Sequence, residues 1–126
     1  MHRGVDIELH LAAGLPNENF VAEVLGNVAA FRLQQDRGEP LTWQVVRVDE
    51  RHSHHFRLVV GHPQRALDPG FAHALARILD SLSKESVEDL RKELDAAERD
   101  GLRPTRLRHV HESVDYWNDD FWNWLG

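Results

Sequence analysis

A chain of 126 residues, 41% hydrophobic and 29% charged, has the size of one domain that buries about two thirds of its unfolded surface, and a composition far from that of disordered or membrane proteins. No apolar run reaches the roughly 18–20 residues needed to span a bilayer, and the N-terminus Met1-His2-Arg3-Gly4-Val5-Asp6 has no hydrophobic leader, so a cytoplasmic location is expected. A net charge of −6 argues against nucleic acid as a partner, and the absence of cysteine excludes disulfides, thiol nucleophiles and zinc–thiolate sites.

Val5-Asp6-Ile7-Glu8-Leu9-His10-Leu11 alternates apolar and polar residues without a fault, the period of a half-buried strand. Its polar face carries Asp6, Glu8 and His10. After Gly14-Leu15-Pro16 the spacing changes to Phe20, Val24, Val28 and Phe31, supplemented by Val21 and Leu25, which predicts a helix capped near Asn17 and stopped by Gly38-Glu39-Pro40. Residues 42–49 and 56–60 are rich in β-branched and aromatic side chains, and the polar segment 50–55 between them reads as a hairpin loop. In the first of these strands Trp43 and Val45 share one face while Val46 and Val48 share the other, so both of its sides are apolar.

Asp68-Pro69 supplies a cap followed by proline at the first helical position, and Phe71, Leu75, Ile78 and Leu82 form the stripe of a second helix. A third helix is expected from Ser83, with Val87, Leu90, Leu94 and Ala97 facing inward and Gly101 ending it. Glu88 with Lys92, and Asp95 with Arg99, are spaced for i,i+4 pairs on its outer side. Residues 105–111 suggest a fourth strand, although Leu107 and Val110 do not alternate cleanly.

The order β-α-β-β-α-(α)-β predicts a single α+β domain over residues 1–126, a split arrangement in which an antiparallel sheet carries its helices on one face. The opposite face is then uncovered. It would present Asp6, Glu8 and His10, together with either Trp43 and Val45 or Val46 and Val48, and a partly apolar bare face is an association surface unless the chain covers it.

The acidic segment 113–126 holds five aromatic rings, including three of the four tryptophans, and no basic side chain. Each large ring left in water forgoes roughly 2–3 kcal/mol of burial, so this segment is expected to dock on something. As a helix capped by Ser113 it would place Trp117, Phe121, Trp124 and Leu125 on one side, with Trp122 off that stripe and Asp115, Asp119 and Asn123 mainly away from it. Such a helix fits either the chain's own core, a second copy, or an apolar groove on another protein. Trp117, Phe121, Trp122, Trp124 and Leu125, with Asp119 and Asp120, are the candidate partner-binding residues.

Nine histidines are many for this length, and His52-Ser53-His54-His55 with His109-Val110-His111 raises the question of a metal site. On a strand His109 and His111 would point the same way and could share an ion with His54 or His55. Against this, no HExxH spacing is present and residues 52–55 fall in the expected loop. Asp6, Glu8 and His10 could supply an acid and a base, yet they are also what any solvated strand shows. There is no nucleophile elbow and no Gly-rich phosphate loop, and His52-Ser53-His54 lacks the hydroxyl that a paired His-x-Ser/Thr phosphoesterase motif requires at its third position. The expectation is a small non-enzymatic protein that binds another protein or a second copy of itself, without a cofactor, of inhibitor, immunity, antitoxin or adaptor type. The alternative is a metal-binding protein or small hydrolase that uses His54, His55, His109 and His111 or the face of Asp6, Glu8 and His10.

Overall fold

The structure, a computed structural model, describes residues 3–12, 14–49 and 55–111, with only the backbone of Asp49 and His111. Its elements follow in the order β1 (Val5–His10), α1 (Glu18–Arg37), β2 (Thr42–Asp49), β3 (His55–Gly61), α2 (Pro69–Leu82), α3 (Val87–Arg99) and β4 (Arg108–His111). The strands form one sheet in the order β1-β3-β2-β4. Because β3 is antiparallel to both neighbours, β1 and β2 run parallel with β3 inserted between them, which is the split βαβ unit expected.

The expected all-antiparallel sheet is corrected at its edge, where β4 pairs with β2 in parallel and sets Val46 beside Arg108 and Val48 beside Val110. The approach to β4 accounts for the direction. Helix α1 runs opposite to β2, since its start meets the end of that strand at Arg47–Glu18 and its middle meets the beginning at Trp43–Asn27. Thr105 donates its N–H to Asn27 Oδ1 at 2.8 Å, and Leu107 donates its own to Glu23 Oε1 at 2.9 Å. The chain therefore travels backward along α1 and enters the sheet in the direction of β2. These side-chain tethers also explain why β4 is shorter than residues 105–111, since Thr105 and the Leu107 N–H bond to side chains of α1 and not in a ladder.

Alternation sorts each strand into two faces. Val5, Ile7 and Leu9 of β1, Phe56, Leu58 and Val60 of β3, and Trp43 and Val45 of β2 face the helices. They form the core together with Ala22, Val28, Leu33, Phe71, Leu75, Leu82 and Leu90. Gly26 sits where α1 crosses β2, and a Cβ there would lie 2.4 Å from Val45 Cγ2, so glycine is required by close approach and not by backbone angle. The buried side of α1 is consequently built from small residues, Ala22, Gly26, Ala29 and Ala30, beside Val24, Val28 and Leu33. This departs from the expected stripe, because Phe20 is 45% exposed and Phe31 only half-buried.

The caps follow the sequence with two adjustments. Asp68 accepts from Gly70 N at 2.8 Å ahead of Pro69, as expected of an N-cap, and Gly38 ends α1 in the left-handed region at φ 64°. Asn17 does occupy the N-cap position of α1, but at φ 60° and without a side-chain cap bond. Helix α3 begins four residues later than Ser83, because Ser86 is its cap and accepts from Asp89 N, while Ser83 ends α2. Along α3 the ion pairs run from Arg91 to Glu88 and Asp95. Both the helix expected over residues 113–126 and the loop 50–54 lie outside the described residues.

Candidate interaction surface

The face of the sheet turned away from the helices carries Asp6, Glu8 and His10 from β1, His55, Arg57 and Val59 from β3, Gln44, Val46 and Val48 from β2, and Arg108 and Val110 from β4. The choice left open between two pairs on β2 is thereby made. Trp43 and Val45 go to the core, and Val46 and Val48 go to the far face.

One half of this face is ionic. Antiparallel register places Asp6 opposite Val59 and Glu8 opposite Arg57, and the Arg57 guanidinium reaches diagonally to Asp6 Oδ2 at 2.7 Å while standing 3.9 Å from Glu8 Oε1. His55 Nδ1 lies 3.1 Å from Glu8 Oε1, and His10 Nε2 lies 3.3 Å from Glu8 Oε2. The carboxylates expected to supply acid and base are therefore held by their own neighbours. Ion pairs of this kind near a surface contribute roughly 0–1 kcal/mol each, so the network orients side chains more than it stabilises the sheet.

The other half is apolar. Val46 and Val59 are fully buried, Val48 is 5% exposed and Val110 is 7% exposed, and all four stand apart from the helix-side core. Gln44 borders the strip, donating from Nε2 to the Arg106 carbonyl at 2.6 Å. Across the sheet Val46 is flanked by Arg57 on β3 and Arg108 on β4, so a hydrophobic strip is edged by positive charge on both sides.

Of the histidines considered for a metal, His54 lies outside the described residues, and of His111 the backbone alone is described. His55 shares its face with Glu8, whereas His109 pairs in register with Arg47 on the helix side. The sheet separates these two rings. No group of three or more His, Asp or Glu side chains is placed to hold a metal ion among the described residues. A groove of about 670 Å³ does open between α1, the start of β2 and residues 100–105, but Phe31, Gln34, Trp43, Leu102 and Arg103 line it, remote from Asp6, Glu8 and His10.

Trp117, Phe121, Trp122, Trp124, Leu125, Asp119 and Asp120 lie outside the described residues. Sequence reasoning did not single out Arg57 and Val59. A signal existed for both, because alternation over residues 56–60 assigns them to one face, but only the register shows that this is the face of Asp6 and Glu8.

No family model matches the chain, and no curated protein matches its sequence. Among the described residues no helix is long and apolar enough to cross a membrane.

Proposed function

We propose that this domain is a cytoplasmic, non-enzymatic protein-binding module of inhibitor, immunity, antitoxin or adaptor type, whose contact is the sheet face opposite α1, α2 and α3 together with the aromatic segment 113–126. The observation that carries this reading is the makeup of that face, an apolar valine strip edged by Arg57 and Arg108 and bordered by an ion-paired patch. Protein interfaces have this anatomy, with a desolvated centre inside a polar rim. The position of Glu8 and Asp6 supports binding over catalysis, since both carboxylates face cations or imidazoles of their own chain and no groove described at the 670 Å³ site reaches them. A second copy of the chain is a partner of the same class.

Site-specific photocrosslinking in cells tests the proposal. A photoreactive amino acid at Gln44 should give a covalent adduct with a protein, foreign or identical, and the same group at Arg77 on α2 should not. Equal labelling at the two positions, or none at Gln44, would reject this face as the contact.

A further inference from the structure

Val46 and Val59 are as inaccessible as the deepest core residues, although α1, α2 and α3 all pack on the opposite side of the sheet. Such burial requires atoms above the strip, and although arginine stems can cover apolar surface, Arg57 and Arg108 both stand in register with Val46, whereas Val48 has Val110 beside it on β4. We infer that the aromatic segment 113–126 of the same chain supplies these atoms, lying across Val46, Val48, Val59 and Val110. The inference concerns the face proposed above as a contact, but it holds whether or not another protein binds there.

Three observations select this occupant. The described chain ends on β4, the edge strand whose Val110 belongs to the strip, so the segment starts beside the surface it covers. Four strands at roughly 4.8 Å spacing span about 15 Å, and a segment of this length reaches about 20 Å as a helix and more when extended, which is enough to cross them. Its composition complements the surface, with Trp117, Phe121, Trp124 and Leu125 for the valines and Asp115, Asp119 and Asp120 for the rim of Arg57 and Arg108. The segment joining β2 to β3 in the sequence, Glu50-Arg51-His52-Ser53-His54, is short and polar and has no apolar side chain to contribute.

A partner that uses the face therefore meets the aromatic segment there. It binds over the segment or displaces it, and docking of the segment competes with any contact made directly to the valines.

The chain has no cysteine, so engineered pairs report proximity cleanly. Gln44→Cys would be combined in turn with Asn118→Cys, Asp120→Cys and Asn123→Cys and oxidised at low micromolar concentration. Ser81→Cys on α2 replaces Gln44→Cys in the control pairs. An intramolecular disulfide forming at least tenfold faster with Gln44→Cys than with the control supports docking in the same chain. Equal rates overturn it, and so do disulfide-linked dimers as the main product, which would assign the strip to a second copy. An independent measurement uses the chain ending at Ser113. A lower melting temperature that recovers when the free peptide of residues 113–126 is added, with a blue shift in that peptide's tryptophan emission, supports the inference. An unchanged melting temperature and unshifted emission overturn it, and neither experiment depends on finding a foreign partner.

Discussion

At the residue scale Asn27 organises more of this molecule than any charged group. It is 1% exposed in the middle of α1, and all its hydrogen-bonding capacity is directed inward. Its Oδ1 accepts from Trp43 Nε1 at 2.9 Å and from Thr105 N at 2.8 Å, while its Nδ2 donates to the Glu23 and Thr105 carbonyls. One side chain thus joins α1, β2 and the approach to β4. Replacing it with leucine, similar in volume, leaves the Trp43 and Thr105 groups buried without partners, each costing about 1–3 kcal/mol. Asn27→Leu is therefore expected to lower stability in urea by at least roughly 2 kcal/mol. A loss below about 0.5 kcal/mol would mean that water replaces the amide without penalty. The sequence offered a hint in a polar residue placed between Gly26 and Val28 on the apolar side of a helix. It offered none of the partners, which are up to 78 residues away along the chain.

At the scale of elements, local chemistry located the helices and strands more reliably than their mutual arrangement. Strand β1 and the Asp68-Pro69 start of α2 were legible because alternation and capping act within a few residues. The stripe of α1 held at Val24 and Val28, which are buried, but failed at Phe20 and Phe31, because close approach to Val45 selects Gly26 and its alanine neighbours for the side against the sheet. The direction of β4 was out of reach for a related reason. It depends on Glu23 Oε1 accepting from Leu107 N and on Asn27 holding Thr105, contacts between segments about eighty residues apart. Glu23→Ala should consequently release the edge strand without unfolding the core. Hydrogen exchange of the β4 amides is expected to accelerate by at least tenfold, with β3 protection unchanged, and equal acceleration in both strands would show that β4 is not independently tethered.

Across the whole molecule, Arg32 fastens the helical layer. From α1 its guanidinium donates to both carboxylate oxygens of Glu93 on α3, at 2.9 and 2.6 Å, and to both of Glu85 in the α2–α3 turn, at 2.8 and 3.1 Å. The hydrogen bonds from Arg32 hold the Glu85 carboxyl below its ordinary value of 4.5, and donation to Glu93 and Glu85 pushes the guanidinium still higher than usual. A carboxyl lowered in the folded state stabilises it at pH above the unfolded value, and this contribution disappears as pH falls through the folded value. The difference in melting temperature between the natural chain and Glu85→Gln should accordingly be present at pH 7 and shrink progressively as pH falls below the ordinary carboxyl value of 4.5. A difference that stays constant throughout the acid titration would assign the effect to packing. The same scale decides the face opposite these helices. Three helices on one side of a four-stranded sheet leave the other to the rest of the chain or to a partner, so the fate of Val46 and Val59 is a property of the assembled molecule.

The sequence by itself determined the α+β class, the split β-α-β-β order, the capped start of α2 and the unusual concentration of aromatic rings after residue 112, because each rests on periodicity, turn chemistry or composition read over short stretches. Tertiary structure alone decided that β4 runs parallel to β2, that Asn27 ties α1 to the sheet and Arg32 ties the helices to one another, and that Val46 on the far face stands between Arg57 and Arg108. Those features arise from register and from contacts between distant segments. No local pattern encodes them, because a one-residue change of register would exchange the two faces of a strand while leaving its sequence the same.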